Sequence, residues 1–134
     1  MKLSENFSLQ ELLKSQTALR KGIDNKPAHP EIITNLQVLC EKVLQPVRDH
    51  FAKPVVINSG YRCPKLNKAV GSSSKSQHTK GEAADIEIPG VSNKELAEYI
   101  EDNLPFDQLI LEFYNGVDPS SGWVHVSYVN DSDN

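Results

Sequence analysis

The sequence predicts an α+β fold with N-terminal helices packed on an antiparallel sheet. Three observations lead there. In the first half Ile32, Leu36, Leu39, Val43, Val47 and Phe51 recur every three or four positions, the period of a helix face. Beyond Pro54 the apolar runs become short, β-branched or alternating, and are bounded by Gly and Pro. Helices therefore come first and strands mostly later, without the regular βαβ alternation of a parallel sheet. At 134 residues the chain has the length of one domain, 1–134, and buries enough surface to build a core without staples.

Ser8-Leu-Gln-Glu11 has the capping-box pattern, with Leu9, Leu12 and Leu13 at helical spacing behind it. A short first helix is expected there. Residues 22–30, GIDNKPAHP, are turn formers with two prolines and read as a loop that re-aims the chain. The long helix starts near Glu31 and runs through Phe51, with a kink and not an end at Pro46, which has no N–H to give. Residues 55–59 read as a strand and residues 71–81, GSSSKSQHTKG, as a polar connection. Strand alternation resumes over 83–88, with Asp85 and Glu87 on one face and Ala84, Ile86 and Ile88 on the other. Ser92-Asn-Lys-Glu95 opens another helix through about Asn103, burying Leu96, Tyr99 and Ile100. Residues 108–113 and 123–129 then pair as a hairpin around the turn-rich YNGVDPSSG.

Hydrophobic residues make up 38% and charged residues 24%, which excludes disorder and low-complexity classes. Eighteen acidic against fourteen basic residues give a charge of -4, and the lysines are scattered. The electrostatic term that dominates nucleic-acid binding is missing, so no nucleic-acid partner is expected. No apolar run approaches the ~20 residues that cross a bilayer, and the first ten residues lack the unbroken apolar stretch of a signal peptide. The expectation is a monomer with no membrane partner, cytoplasmic as synthesised. Cys40 and Cys63 lie in unrelated contexts and read as free thiols.

Chemistry concentrates in Ser76-Gln-His78-Thr-Lys-Gly81-Glu-Ala-Ala-Asp85 and in Trp123-Val-His125-Val-Ser127. His78 stands in a polar loop with no core to fill, and Asp85 interrupts an apolar strand start, where a charge needs a partner. His125 faces the side of its strand opposite Val124 and Val126. Two imidazoles and a carboxylate from separate elements form the three-ligand set of a catalytic zinc site. On spacing alone, a packed strand histidine and a turn or ladder aspartate remain open readings.

Residues 59–71 (SGYRCPKLNKAVG), 76–85 (SQHTKGEAAD) and 123–128 (WVHVSY) resemble the zinc D-Ala-D-Ala carboxypeptidase family of D,D- and L,D-peptidases. Its pattern is S-x-H-x-x-G-x-A-x-D followed by W/F-x-H. The phage- and prophage-type branch is similar also in FSLQELLKSQTA, IDNKP, VLQPVR and FDQLILEF, so the likeness covers nearly the whole chain. The resemblance implies a Hedgehog/DD-peptidase-like fold, Zn2+ as cofactor, and hydrolysis of peptide bonds in peptidoglycan stem peptides, as a carboxypeptidase or endopeptidase. The protein would then act on the cell wall after release or lysis, or as a virion component. The family's metal ligands fall on His78, Asp85 and His125. Its arginine falls on Arg62, where a guanidinium fork holds a substrate carboxylate or an oxyanion, and Ser76 falls on a position near substrate.

The sequence departs from the pattern at the general base. The family has an acid three positions before the last ligand or a histidine two before it; here these are Gly122 and Trp123. Glu112 takes the role if residues 108–113 pair with 123–129, with Asp118 in the hairpin loop as second candidate. A catalytically silent zinc-binding module of the same fold is the alternative this departure keeps open. A serine hydrolase built on Ser59 or Ser76 with His78 and Asp85 is disfavoured, because neither serine sits in a nucleophile elbow.

Overall fold

The computed structural model describes residues 1–129, so the last residues of the expected 1–134 domain, 130–134, lie outside the described ones. A small antiparallel pair, β1 (Lys2–Ser4) and β2 (Phe7–Ser8), opens the chain. Ser8 then caps α1 (Leu9–Leu13) as its sequence predicts: Glu11 N–H donates to Ser8 Oγ at 3.3 Å, and Ser8 N–H donates to Glu11 Oε1 at 3.1 Å. A second short helix, α2 (Gln16–Lys21), ends at Gly22 in the left-handed region.

The long helix begins at Pro30, a residue whose fixed φ suits a first turn. Its three consecutive segments are α3 (Pro30–Leu39), a wider π turn (Cys40–Leu44) and α4 (Gln45–Phe51). The helix passes Pro46 as expected. The ladder adjusts in the turn before the proline, where Gln45 N–H reaches back to Cys40 O. Ile32, Leu36, Leu39, Val43 and Val47 all face the core.

β3 (Val56–Ser59), β4 (Ala83–Glu87), β5 (Leu109–Glu112) and β6 (Trp123–Ser127) form one sheet in the order β3-β4-β6-β5, every pair antiparallel. The α+β expectation with a β5–β6 hairpin therefore holds. Ala84, Ile86, Val124 and Val126 point into the core with the long helix and with Leu96 and Ile100 of α6 (Asn93–Asn103). Asp85, His125 and Ser127 take the opposite face by the two-residue alternation of a strand.

Besides β1, β2 and α2, two further elements arise where the sequence reading assigned none: α5 (Pro64–Ala69), capped by Cys63, and a 3₁₀ turn (Gln77–Lys80) inside the expected polar connection. Both cysteines are free and buried, and burial, with Glu11 and Glu41 nearby, pushes the Cys40 thiol up to about 12. Among the described residues no helix is long and apolar enough to cross a membrane.

Gly60 marks a close crossing of β3's end with α1. A Cβ there would run into the Leu12 carbonyl oxygen and come within 2.9 Å of Leu12 Cδ1. Gly60→Ala should lower stability by roughly 1–3 kcal/mol through this overpacking, read as a fall in the urea midpoint. An unchanged midpoint would contradict the crossing.

Candidate metal centre

Strand register brings the first two polar groups together. Asp85 on β4 and His125 on β6 are direct cross-strand partners, so their side chains rise side by side from one face. His125 Nδ1 lies 2.9 Å from Asp85 Oδ1. His78 arrives from the 3₁₀ turn, whose start is capped by Ser76 Oγ accepting from His78 N–H at 3.2 Å. Its Nε2 lies 3.4 Å from the same Asp85 oxygen. The three ligand atoms all fall within 4.8 Å of one another. The loop reading of His78 needs correction, since the ring is only 2% exposed: the short helical turn folds it inward.

Hydrogen bonding decides what this cluster can hold. His78 Nδ1 lies 2.7 Å from the Gly60 carbonyl oxygen, which can only accept, so Nδ1 carries the proton. In the neutral ring Nε2 then presents a lone pair to a carboxylate oxygen. Two acceptors facing each other call for a proton or a metal cation between them, and with a second imidazole nitrogen the group could hold a metal ion. Oxygen and nitrogen ligands in this number suit zinc, and the Gly60 carbonyl is the kind of outer partner that fixes a ligand's tautomer. Burial acts to raise the pKa of Asp85, but the two imidazoles beside it outweigh burial and hold the carboxyl down to about 2. The carboxylate is therefore ionised at any physiological pH.

Arg62 is positioned by the predicted IDNKP loop. Asn25 Nδ2 donates to Leu13 O and to Tyr61 O, and Asn25 Oδ1 accepts from Cys63 N–H at 2.7 Å. Both neighbours of Arg62 are thus pinned, and Arg62 N–H itself donates to His78 O at 3.0 Å. The guanidinium reaches Ser76 Oγ at 3.4 Å, while its Nε is buried without a hydrogen-bond partner. Burial disfavours its charged form and Asp85 and Glu112 favour it, with a net lowering.

These groups line a cleft of about 780 Å³ together with residues of the 70–76 segment and of β5. Glu112 lines it, paired in register with Trp123, two positions along from the Ile110–His125 pair. The hairpin on which its candidacy rests is therefore present. Asp118 is turned elsewhere: fully exposed, it accepts from the backbone and hydroxyl of Ser120 within the loop. Gly122 has φ +68°, and a Cβ there would overlap the Glu112 carbonyl oxygen. This backbone leaves no room for an acid at that position.

Ser76 lies in the cleft wall and serves as cap and Arg62 partner. The ring nitrogens of His78 go to Gly60 and Asp85, which leaves neither for a serine hydroxyl and removes the serine-hydrolase arrangement. The sequence reading missed Lys75, Gln77, Asp107 and Gln108 in the cleft. Gln77 Nε2 donates to Asp107 at 2.9 Å, a pairing across thirty positions that no local pattern signals.

Zinc added to chelator-treated protein should bind at about one ion per chain, measured by calorimetry. His78→Ala, Asp85→Ala and His125→Ala should each abolish this binding. Affinity should fall on acidification because protons compete for the two imidazoles, while Asp85 stays ionised. Full zinc binding in all three variants would place the site elsewhere.

The family model described as Peptidase M15 matches residues 5–127. No curated protein matches the chain. The match spans the arginine segment, all three metal-ligand candidates and the hairpin that carries Glu112. The chain belongs to the Peptidase M15 family, the zinc D-Ala-D-Ala carboxypeptidase family whose motifs its sequence carries.

Proposed function

We infer that this protein is a zinc-dependent peptidase that hydrolyses peptide bonds in peptidoglycan stem peptides, next to a D-residue. The observation that carries the reading is the meeting of His78, Asp85 and His125 on the floor of an open cleft, with a carboxylate and a guanidinium on the same cleft. His78, Asp85 and His125 are the residues that would hold the ion. Zinc bound there would supply a Lewis acid for the substrate carbonyl and lower the pKa of a water.

The chain's own groups divide the remaining work. Arg62, half-buried and held from both sides through Asn25, offers a fork to a substrate carboxylate or to the oxyanion that develops at the scissile carbonyl. Glu112 accepts a proton from the attacking water as the C–O bond forms. It then delivers that proton to the amine as the C–N bond breaks. Ser76 orients the guanidinium. The stem peptide lies extended along β5, whose face supplies Gln108, Ile110 and Glu112 to the cleft.

The blocked position at Gly122 supports a second reading, a zinc-binding module without catalysis. Glu112→Gln separates the two. This variant should keep zinc and fold but lose roughly 10²- to 10⁴-fold in kcat on a muropeptide, whereas wild-type protein with zinc bound and no hydrolysis of any stem peptide would favour the silent module. Retained activity in Glu112→Gln would move the base elsewhere. Arg62→Lys should cost at least ~10-fold in kcat/KM at unchanged zinc content, through loss of the bidentate fork. An equally active lysine variant would remove Arg62 from the substrate.

A further inference from the structure

The rim of the cleft beyond Glu112 carries an aromatic pair that hydrolysis itself does not use. Phe113 follows Glu112 and is 78% exposed, and its ring lies 5.1 Å from that of Trp123 at an interplanar angle of 38°. Both line the cleft. Phe113 also has φ +56°. A bulky residue in the left-handed region is an outlier, and such strain persists where the surroundings enforce it, commonly at functional sites.

Here the enforcement is visible. Asn93 on α6 is buried, and its Nδ2 donates to Ser121 O and Gly122 O at 3.0 and 3.1 Å. Gly122 is pressed against the Glu112 carbonyl and the Phe113 backbone. The hairpin is pinched at this point, where Phe113 lies beside Trp123 on the lining of the cleft. A large apolar ring presented to water offers a flat surface to a ligand.

The geometry points to a stacking platform, Phe113 with Trp123, for a pyranose ring of the glycan that carries the stem peptide. This rests on the reading of the cleft as a stem-peptide site and extends it to the sugar. The platform is continuous with the peptide's path along β5. Stem peptides consist of alanine, acidic and diamino residues, none of which has a broad flat apolar face. The face of a pyranose ring does. Lys75, Ser72 and Ser73, which line the same cleft, supply donors for the hydroxyl and amide groups at the ring's edge.

Trp123 is the chain's single tryptophan, so its fluorescence reads this site without reference to catalysis. Titration with an N-acetylglucosamine–N-acetylmuramic acid disaccharide should shift the indole emission saturably in wild type and not in Phe113→Gly. Glycine accepts the positive φ, so Phe113→Gly should keep or raise the melting temperature, and Phe113→Tyr should restore the shift. Hydrolysis should favour disaccharide-linked stem peptide over the free peptide by roughly 10-fold in kcat/KM, a ratio that falls toward one in Phe113→Gly. No emission change with disaccharide in wild type would overturn the platform, as would an equal shift with disaccharide in Phe113→Gly. Hydrolysis with no glycan preference would also overturn it while leaving the peptidase reading intact. A disaccharide response without hydrolysis of any stem peptide would support the platform and count against the peptidase.

Discussion

A carboxylate and two imidazoles stand within one small volume, and the proton on His78 Nδ1 is already committed to the Gly60 carbonyl. The consequence is a lone pair and a negative oxygen aimed at each other in a largely water-excluded floor. Polar groups in such a place are costly without a partner, and a divalent cation is the partner this donor set describes. The rest of the molecule serves that convergence. Antiparallel pairing of β4 and β6 sets Asp85 opposite His125. The 3₁₀ turn and the crossing at Gly60 bring in His78, and the apolar faces of the same strands hold both against the long helix.

A second constraint sits at the far end of the hairpin. Gly122 can pass beneath the Glu112 carbonyl only because it has no side chain, and this contact leaves no room for an acid on the strand that carries His125. The neighbouring strand nevertheless places the Glu112 carboxylate on the cleft. The same contact involves the backbone of Phe113, which stands exposed beside it. Asn93, at the start of α6, ties the helix to this turn through two successive carbonyls.

Local chemistry was legible in the sequence and long-range chemistry was not. The capping serines Ser8 and Ser92, the helix face from Ile32 to Val47 and the alternation around Asp85 are signals within a few residues, and each element formed within a residue or two of its expected place. The short elements β1, β2, α2 and α5 carry too few residues for a period to emerge. His78 looked like a loop residue because its burial comes from Gly60 and Asp85, eighteen and seven positions away. Asn25 and Asn93 read as turn and cap residues, and only the fold reveals that their amides fasten Arg62's segment and the hairpin. The pattern's missing acid was visible as an absence at Gly122; the carbonyl that occupies its place was not.

Which atoms hold the metal decides the identity of the centre. X-ray absorption at the zinc edge of the zinc-loaded protein reads this directly. The expected first coordination sphere contains only nitrogen and oxygen, at about 2.0–2.2 Å, with the outer-shell signature of imidazole. A sulfur contribution near ~2.3 Å, from Cys40 or Cys63, or a sphere without imidazole, would contradict the centre described here.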